Sequence, residues 1–390
     1  MNGSLMRVYF DYNATTPPAP EVLEAIVRAT RDQFGNASSV HHFGQQAKAV
    51  LDEARSAVAA LVGGDPSEVV FTGGGTESDN FAIRGAAEAL EPTGRKHLIA
   101  SAIEHEAVLN TLKALARHGW RTTLVPVDRT GVASPDRLRE IITDDTALVS
   151  VMHANNEIGT IQPIAEMARI AHERGALMHT DAVQSVGKIP VDVRALGVDL
   201  LSLSAHKFNG PKGAGALWVK RGTRMLPILT GGKHERSRRA GTENVPALAG
   251  LGVAAHLAIG KMAAESVRVG VLRDRLEAGI LRGVPATVVN GEPQMRVPNT
   301  TNISFDRVEA ESLLIALDLD GIAVSTGSAC SSGTLEPSHV LRAMGFPAHR
   351  TQNSLRFSLG VFSTEGEVDR VIEVLPRLVE KLRDLTRKAG

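Results

Sequence analysis

Three short stretches, each just after an apolar run, carry side chains suited to one shared chemistry: "GGGT" at 73–76, "DAVQ" at 181–184 and "SAHK" at 204–207. Glycines and a hydroxyl where a strand turns into a helix let backbone N–H groups approach a phosphate at the positive end of the helix dipole. The cup would use Gly75 and Thr76. A carboxylate such as Asp181 can face the nitrogen of a heteroaromatic ring and keep it protonated, which makes the ring an electron sink. Gln184, three residues on, suits the hydroxyl of the same ring. Lys207 precedes an Asn-Gly-Pro turn and can form a Schiff base with an aldehyde, while Ser204 and His206 beside it can donate to a phosphate. Each stretch alone has an ordinary reading: a Gly-rich turn with a Thr N-cap, an Asp N-cap, a surface lysine beside a turn. In chain order on successive loops, they specify pyridoxal 5′-phosphate.

Cys330 is the single cysteine of 390 residues and lies in "AVSTGSACSSGTLEPSH" (323–339), a run of small polar residues with no sign of a packed core. Free cysteine usually behaves as a small buried hydrophobe, so a thiol in such a segment asks for a reactive role. One cysteine leaves no intramolecular disulfide framework and no multi-cysteine metal site for this chain alone. No HExxH or Cys/His ligand spacing occurs, and no metal site is expected.

The elements that must position these groups follow from the apolar pattern. Seven strand candidates, at 68–72, 97–101, 122–127, 147–152, 176–180, 200–204 and 215–219, alternate with helical stretches. Runs apolar on both faces, separated by helices, predict a mostly parallel seven-stranded sheet covered on both sides. Ligands of such sheets bind beyond the carboxyl ends of the strands, where the three stretches fall. After about residue 245 a long helical stretch leads to alternating segments at 299–305 and 354–360, helices at 309–317 and 367–385, and a smaller α+β domain. The division expected is 16–260 for the large α/β domain, with 1–15 and 261–390 forming the small one that carries the Cys330 loop.

The segments "DYNATT", "FTGGGTESDN", "EHEAVL", "NNEIGT", "HTDAVQSVGK", "SAHKFNGPKG", "RRAGTEN", "GSACSSGTLEPSHVLRAMG" and "LRFSLG" resemble the cysteine desulfurases. These are fold-type I, class V pyridoxal-phosphate enzymes of the nitrogen-fixation and iron–sulfur-assembly kind, and the likeness runs from about residue 8 to 385. The resemblance implies Lys207 as the Schiff-base lysine and proton shuttle, with His105 stacked on the ring and sharing in proton transfer. It implies Asp181 on the ring nitrogen, Gln184 on the ring hydroxyl, and Gly75, Thr76, Ser204 and His206 on the phosphate. Asn156 would lie near cofactor and substrate carboxylate, and Arg356 would clamp that carboxylate, for which a planar guanidinium is suited. By alternation alone Arg356 reads instead as an outward-pointing charge, and His105 as a helix-start histidine. Cys330, as thiolate, would take sulfur from L-cysteine as a persulfide, leave L-alanine, and pass the sulfur to an acceptor such as an iron–sulfur scaffold. Gly327 and Gly333 would give its loop the mobility for that transfer. The resemblance also implies a homodimer in which Thr242 crosses to the partner's phosphate. Where the family commonly has Gly, this chain has Ala205.

Charge and texture narrow the classes further. Lys+Arg and Asp+Glu both number 43, which argues against general nucleic-acid or anionic-membrane binding. The basic run at 231–244 reads as a solvated loop unless it serves the dimer. The apolar stretch 245–260 is interrupted by Pro246, glycines and His256 and falls short of the ~20 residues of a spanning helix. No signal-peptide pattern begins the chain, whose first five residues can be extra to a start at Met6, and a cytoplasmic location is expected. A selenocysteine lyase, a kynureninase-like hydrolase or a small aminotransferase would share the cofactor residues without needing a cysteine at 330. An inactive partner-binding homologue would have lost Lys207, Asp181 or Cys330, all of which are present.

Overall fold

A computed structural model describes residues 7–326 and 337–389; Cys330, Gly327 and Gly333 lie outside the described residues. In chain order the strands are β1 (Val8–Tyr9), β2 (Val69–Thr72), β3 (His97–Ser101), β4 (Arg121–Val125), β5 (Thr146–Ser150), β6 (Leu177–Asp181), β7 (Leu200–Ser204), β8 (Gly215–Val219), β9 (Thr287–Asn290), β10 (Thr300–Phe305), β11 (Ile322–Ala323) and β12 (Ser354–Ser358). The helices are α1 (Pro20–Asp32), α2 (His42–Leu61), α3 (Gly75–Leu90), α4 (Glu106–Ala116), α5 (Pro135–Ile141), α6 (Ile164–Glu173), α7 (Val193–Leu196), α8 (His234–Ser237), α9 (Val245–Gly283), α10 (Ala310–Leu319), α11 (His339–Ala343), α12 (Ala348–Gln352) and α13 (Glu365–Ala389).

Strands β2 to β8 form one sheet in the order β2-β8-β7-β6-β5-β3-β4, and only β8 runs against the rest. All but β4 are buried nearly throughout, as expected for strands sandwiched between helices. The predicted seven strands are thus present, each within a residue or two of its predicted bounds. A second sheet, β12-β10-β9, and a β1-β11 pair follow. Strand β9 was not anticipated, because "TVVN" is too short and too exposed on one side to carry a clear alternation.

Four apolar clusters fill the described residues, one of them set between α3, α4 and the large sheet and a small one around Ile103, Met152 and α11; the two largest bear on the domain division. The first joins α1, α2, α6 and the first turns of α9 to one face of the large sheet; the second joins the later part of α9 with β1, β10, β12, α10 and α13. Helix α9 serves both, packing on α1 and α2 at one end and α13 at the other. It is continuous over 39 residues, so the glycines and His256 do not break it, and Pro246 sits in its first turn where no hydrogen bond is lost. The reading of 245–260 as an interrupted, short apolar stretch is corrected here. By length and composition alone this helix is able to cross a bilayer, and its buried face is spent on the two cores.

Candidate active site

The loops after β2, β6 and β7 meet at one edge of the large sheet because parallel neighbours present the same ends. After β2, the cap of α3 is Gly74, not Thr76: Gly74 has φ 146°, and a side chain on Gly215 would approach its Cα to 2.6 Å. A Cβ on Gly75 would meet Val183 at 2.9 Å and Ser204 at 3.7 Å, so the cup stays bare backbone where three loops converge. Gly73, Gly75, Thr76, Ser204, His206 and Lys212 line the resulting pocket. At its rim Glu77 accepts from the Gly73 N–H at 2.7 Å and pairs with Arg239 at 2.8 Å, a contact the sequence gave no sign of.

Asp181 ends β6 with 5% of its surface exposed, and its Oδ1 accepts from the Val183 N–H at 2.9 Å. This is an Asx turn rather than the helix cap that the residue type alone suggested. Burial raises its pKa, against the pull of His105 and Lys207. His105 caps α4: its Nδ1 accepts from the Ala107 N–H at 3.1 Å, which leaves the ring proton on Nε2. Desolvation lowers its pKa, so the imidazole is neutral at neutral pH. The helix-start reading and the site reading of His105 are therefore compatible.

Lys207 stands in a single 3-10 turn, Ala205–Lys207, closed by Phe208 N–H to Ala205 O at 3.1 Å and pinned by Thr16 N–H to His206 O at 2.9 Å. Its Nζ donates to the carbonyls of Asn13 at 2.6 Å and Ala14 at 3.0 Å. His206 contacts Thr15 Oγ1 at 3.1 Å; burial first, then Lys207, Lys212 and Lys188, push its pKa down to about 4. Ala205 is fully buried in the first core, so the methyl found where the family commonly has Gly adds packing and removes no polar group.

Arg356 is 4% exposed, which corrects the outward-pointing reading: β12 is covered on both faces, and the N-terminal segment seals its edge. Its guanidinium donates to Asp11 Oδ1 at 2.6 Å and to the Asn156 carbonyl at 3.0 Å, while its buried Nε has no partner among the described residues. Asn156 thus touches the site through its backbone. Gln184 is 5% exposed and donates from Nε2 to the Asn13 carbonyl at 3.0 Å. Thr242 is exposed on the loop before α9 and does not line the pocket of its own chain.

Under this layer lies a buried polar floor. His179 contacts Ser150 Oγ at 2.8 Å and Ser202 Oγ at 3.0 Å, with Asp79 Oδ1 3.7 Å away. Burial pushes His179 down to about 3, so the imidazole is neutral at neutral pH, and burial together with Asp181 raises Asp79 strongly. Glu104 accepts from Ser101 Oγ and, at 2.8 Å, from the Met152 N–H; burial pushes it up to about 8. In sequence these side chains sit within apolar or helical patterns, and only the tertiary packing brings them beneath Asp181.

The donor set fits pyridoxal 5′-phosphate: a bare-backbone cup for a phosphate, a buried carboxylate for a ring nitrogen, and an amine between them. Bound there, it supplies an electron sink for the carbon next to the substrate's amino group.

Residues 8–371 match the family described as Aminotransferase class-V. The cysteine desulfurase IscS of Dictyoglomus turgidum is 49% identical over 380 residues, 97% of this chain and 96% of that protein. The cysteine desulfurase NifS of Azotobacter vinelandii is 48% identical over 380 residues, covering 97% and 94%. A solved structure titled NifS-like protein superposes with a TM-score of 0.89 at 37% identity, covering 97% of this chain and 99% of that one. With nearly its whole length matched, the chain belongs to the class V aminotransferase family, as one of its pyridoxal-phosphate-dependent cysteine desulfurases.

Proposed function

We propose that the protein converts L-cysteine to L-alanine and carries the released sulfur on Cys330 as a persulfide. The observation that supports this most is the convergence of Lys207, Asp181 and His105, each close enough to shift the protonation of another. Arg356, a buried guanidinium with one carboxylate contact among the described residues, suits the substrate carboxylate, and Asn156 holds it in place through its carbonyl. Lys207 Nζ takes and returns the proton at the substrate α-carbon, and His105 holds a proton at Nε2 on the same side of the sheet. Gly75, Thr76, Ser204 and His206 bind the phosphate, Asp181 the ring nitrogen and Gln184 the ring hydroxyl. The Cys330 thiolate attacks the substrate sulfur; the S–S bond forms as the substrate C–S bond breaks, and the carbon left behind takes up a proton.

The protein acts as a homodimer whose Thr242 reaches the partner's phosphate cup. Thr242 is exposed, and on the same loop His234 Nδ1, Arg238 Nη1 and Glu243 Oε2 are buried with no hydrogen-bond partner among the described residues. The two cores support a division at residue 260 into a large domain (16–260) and a small one (1–15 with 261–390). The sulfur acceptor is an iron–sulfur scaffold and the compartment is the cytoplasm, as the similarity to the IscS and NifS proteins suggests.

The test is anaerobic incubation of the yellow, cofactor-loaded protein with L-cysteine and a thiol reductant, with alanine and sulfide assayed together. Equal amounts from the wild type and neither from Cys330→Ala are expected. Alanine formation that survives the substitution would remove Cys330 from the sulfur path and favour a lyase.

A further inference from the structure

Lys188 is a second amine in the site, and nothing above uses it. It lies in the turn after β6, partly buried, four residues beyond Gln184. Its Nζ donates to Gln184 Oε1 at 2.6 Å and to Asn13 Oδ1 at 3.0 Å. Asn13 is 2% exposed and fully engaged. Its N–H donates to Ser358 Oγ at 3.0 Å, and its Nδ2 donates to the Asn156 carbonyl and to Thr300 Oγ1. Its Oδ1 also accepts from Asn299 at 3.0 Å. The Asn13 carbonyl accepts from Gln184 Nε2 and Lys207 Nζ together, so these two nitrogens sit side by side on one oxygen.

That convergence has a chemical meaning. In pyridoxal 5′-phosphate the ring hydroxyl is on the carbon next to the one bearing the aldehyde, so the group that binds the hydroxyl must lie beside the Schiff-base lysine. Gln184 can serve as a donor there only with Nε2 on the Lys207 side. The two ends of an amide have nearly the same shape, and their partners decide which way it points. Turned over, Gln184 would set its oxygen against the Asn13 carbonyl, acceptor to acceptor, and lose the 2.6 Å hydrogen bond from Lys188.

We propose that Lys188 is a positioning residue: by donating to Gln184 and Asn13 at once, it keeps the Gln184 nitrogen rather than its oxygen turned to the cofactor's ring hydroxyl beside Lys207. This rests on the reading of Lys207 and Gln184 given above. A donor to the ring oxygen competes for that oxygen with the proton on the Lys207 nitrogen, so losing the donor raises the proton affinity of that nitrogen. The titratable and charged groups around the pair are Arg356 from β12, Asp181 from β6, His105 before α4, His206 in the 3-10 turn, and Glu265 from α9 with Tyr12 in the adjoining pocket. Burial first, then Lys207 and Arg356, push the Lys188 amine well below the usual lysine range.

The experiment uses the holoenzyme with pyridoxal 5′-phosphate and follows the pH midpoint of the visible band of the lysine-bound cofactor in wild type, K188M, Q184A and the double variant. A wild-type band that is absent in K207A tests the underlying reading separately. K188M is expected to form the band with its midpoint raised by about one pH unit, in the direction set by loss of a hydrogen-bond donor. Q184A is expected to shift the same way, and the double variant no further than Q184A, because the two residues act in series. An unmoved midpoint in K188M, or shifts that add in the double variant, would overturn the proposal. If K188M does not accumulate as a folded protein, K188L is read by the same criterion.

Discussion

Two buried arginines in this molecule look alike in sequence and differ in what surrounds them. Arg55, on α2 behind the large sheet, holds Glu235 through two contacts of 2.7 Å, donates to the Val69 carbonyl at 2.8 Å, and lies over the Phe71 ring at 4.4 Å. Glu235 in turn accepts from the Phe71 N–H at 2.9 Å, and only 3% of its side chain is exposed. Arg356, in the cleft, has a single oxygen of Asp11, whose side chain is 21% exposed, one carbonyl, and a buried Nε with no partner among the described residues. The first cation is satisfied within the protein and closes the fold around a loop where Glu235, Arg236 and Ser237 all have left-handed φ. The second retains unused donor capacity, which an incoming carboxylate can take up. Arg55 is fixed by a bidentate carboxylate and a carbonyl, whereas Arg356 has one carboxylate oxygen and one carbonyl among the described residues.

The contrast can be broken by substitution at either end. Arg55→Met strands Glu235 as an uncompensated buried charge and is expected to cost about 3–5 kcal/mol of stability, read by denaturant unfolding. A loss below about 1 kcal/mol would show the pair to be exchangeable with apolar packing. Arg356→Gln is expected to raise the KM for L-cysteine by roughly 30-fold or more, as about 2 kcal/mol or more of a charge-pair contact is lost. The visible band of bound cofactor should stay. An unchanged KM would return Arg356 to a purely structural role beside Asp11.

Glu104 extends the comparison to a carboxyl group, whose Oε2 is buried with no hydrogen-bond partner among the described residues. With the pKa pushed up to about 8 from an ordinary 4.5, folded Glu104 stays neutral while the unfolded chain ionises it. Unfolding then releases a proton, so this residue makes stability fall as pH rises from about 4.5 to about 8, and the loss is complete above that. Glu104→Gln mimics the neutral acid, so the melting temperature of the wild type should drop relative to the variant across that window and run parallel to it below. A constant difference through the window would mean that Glu104 is ionised in the folded protein.

Much of this site was legible because parallel strands place their following loops together. "GGGT", "DAVQ" and "SAHK" could be assigned to the same end of one sheet from strand order and residue chemistry alone. Arg356 was not legible in the same way: its strand alternates, and nothing local says that Asp11 and the N-terminal segment cover it. Asn13 and Lys188 stood in plain view within "DYNATT" and "HTDAVQSVGK", yet their link joins positions 175 residues apart.

The sequence by itself determined the periodicities, the strand ends and the order of the chemical groups, because these depend on neighbours within a few residues. Tertiary structure alone decided which charges are satisfied and which protons are retained. Those depend on desolvation and on partners brought in from far along the chain, as with Arg55 and Glu235, Arg356 and Asp11, and the carboxylates beneath the cofactor pocket.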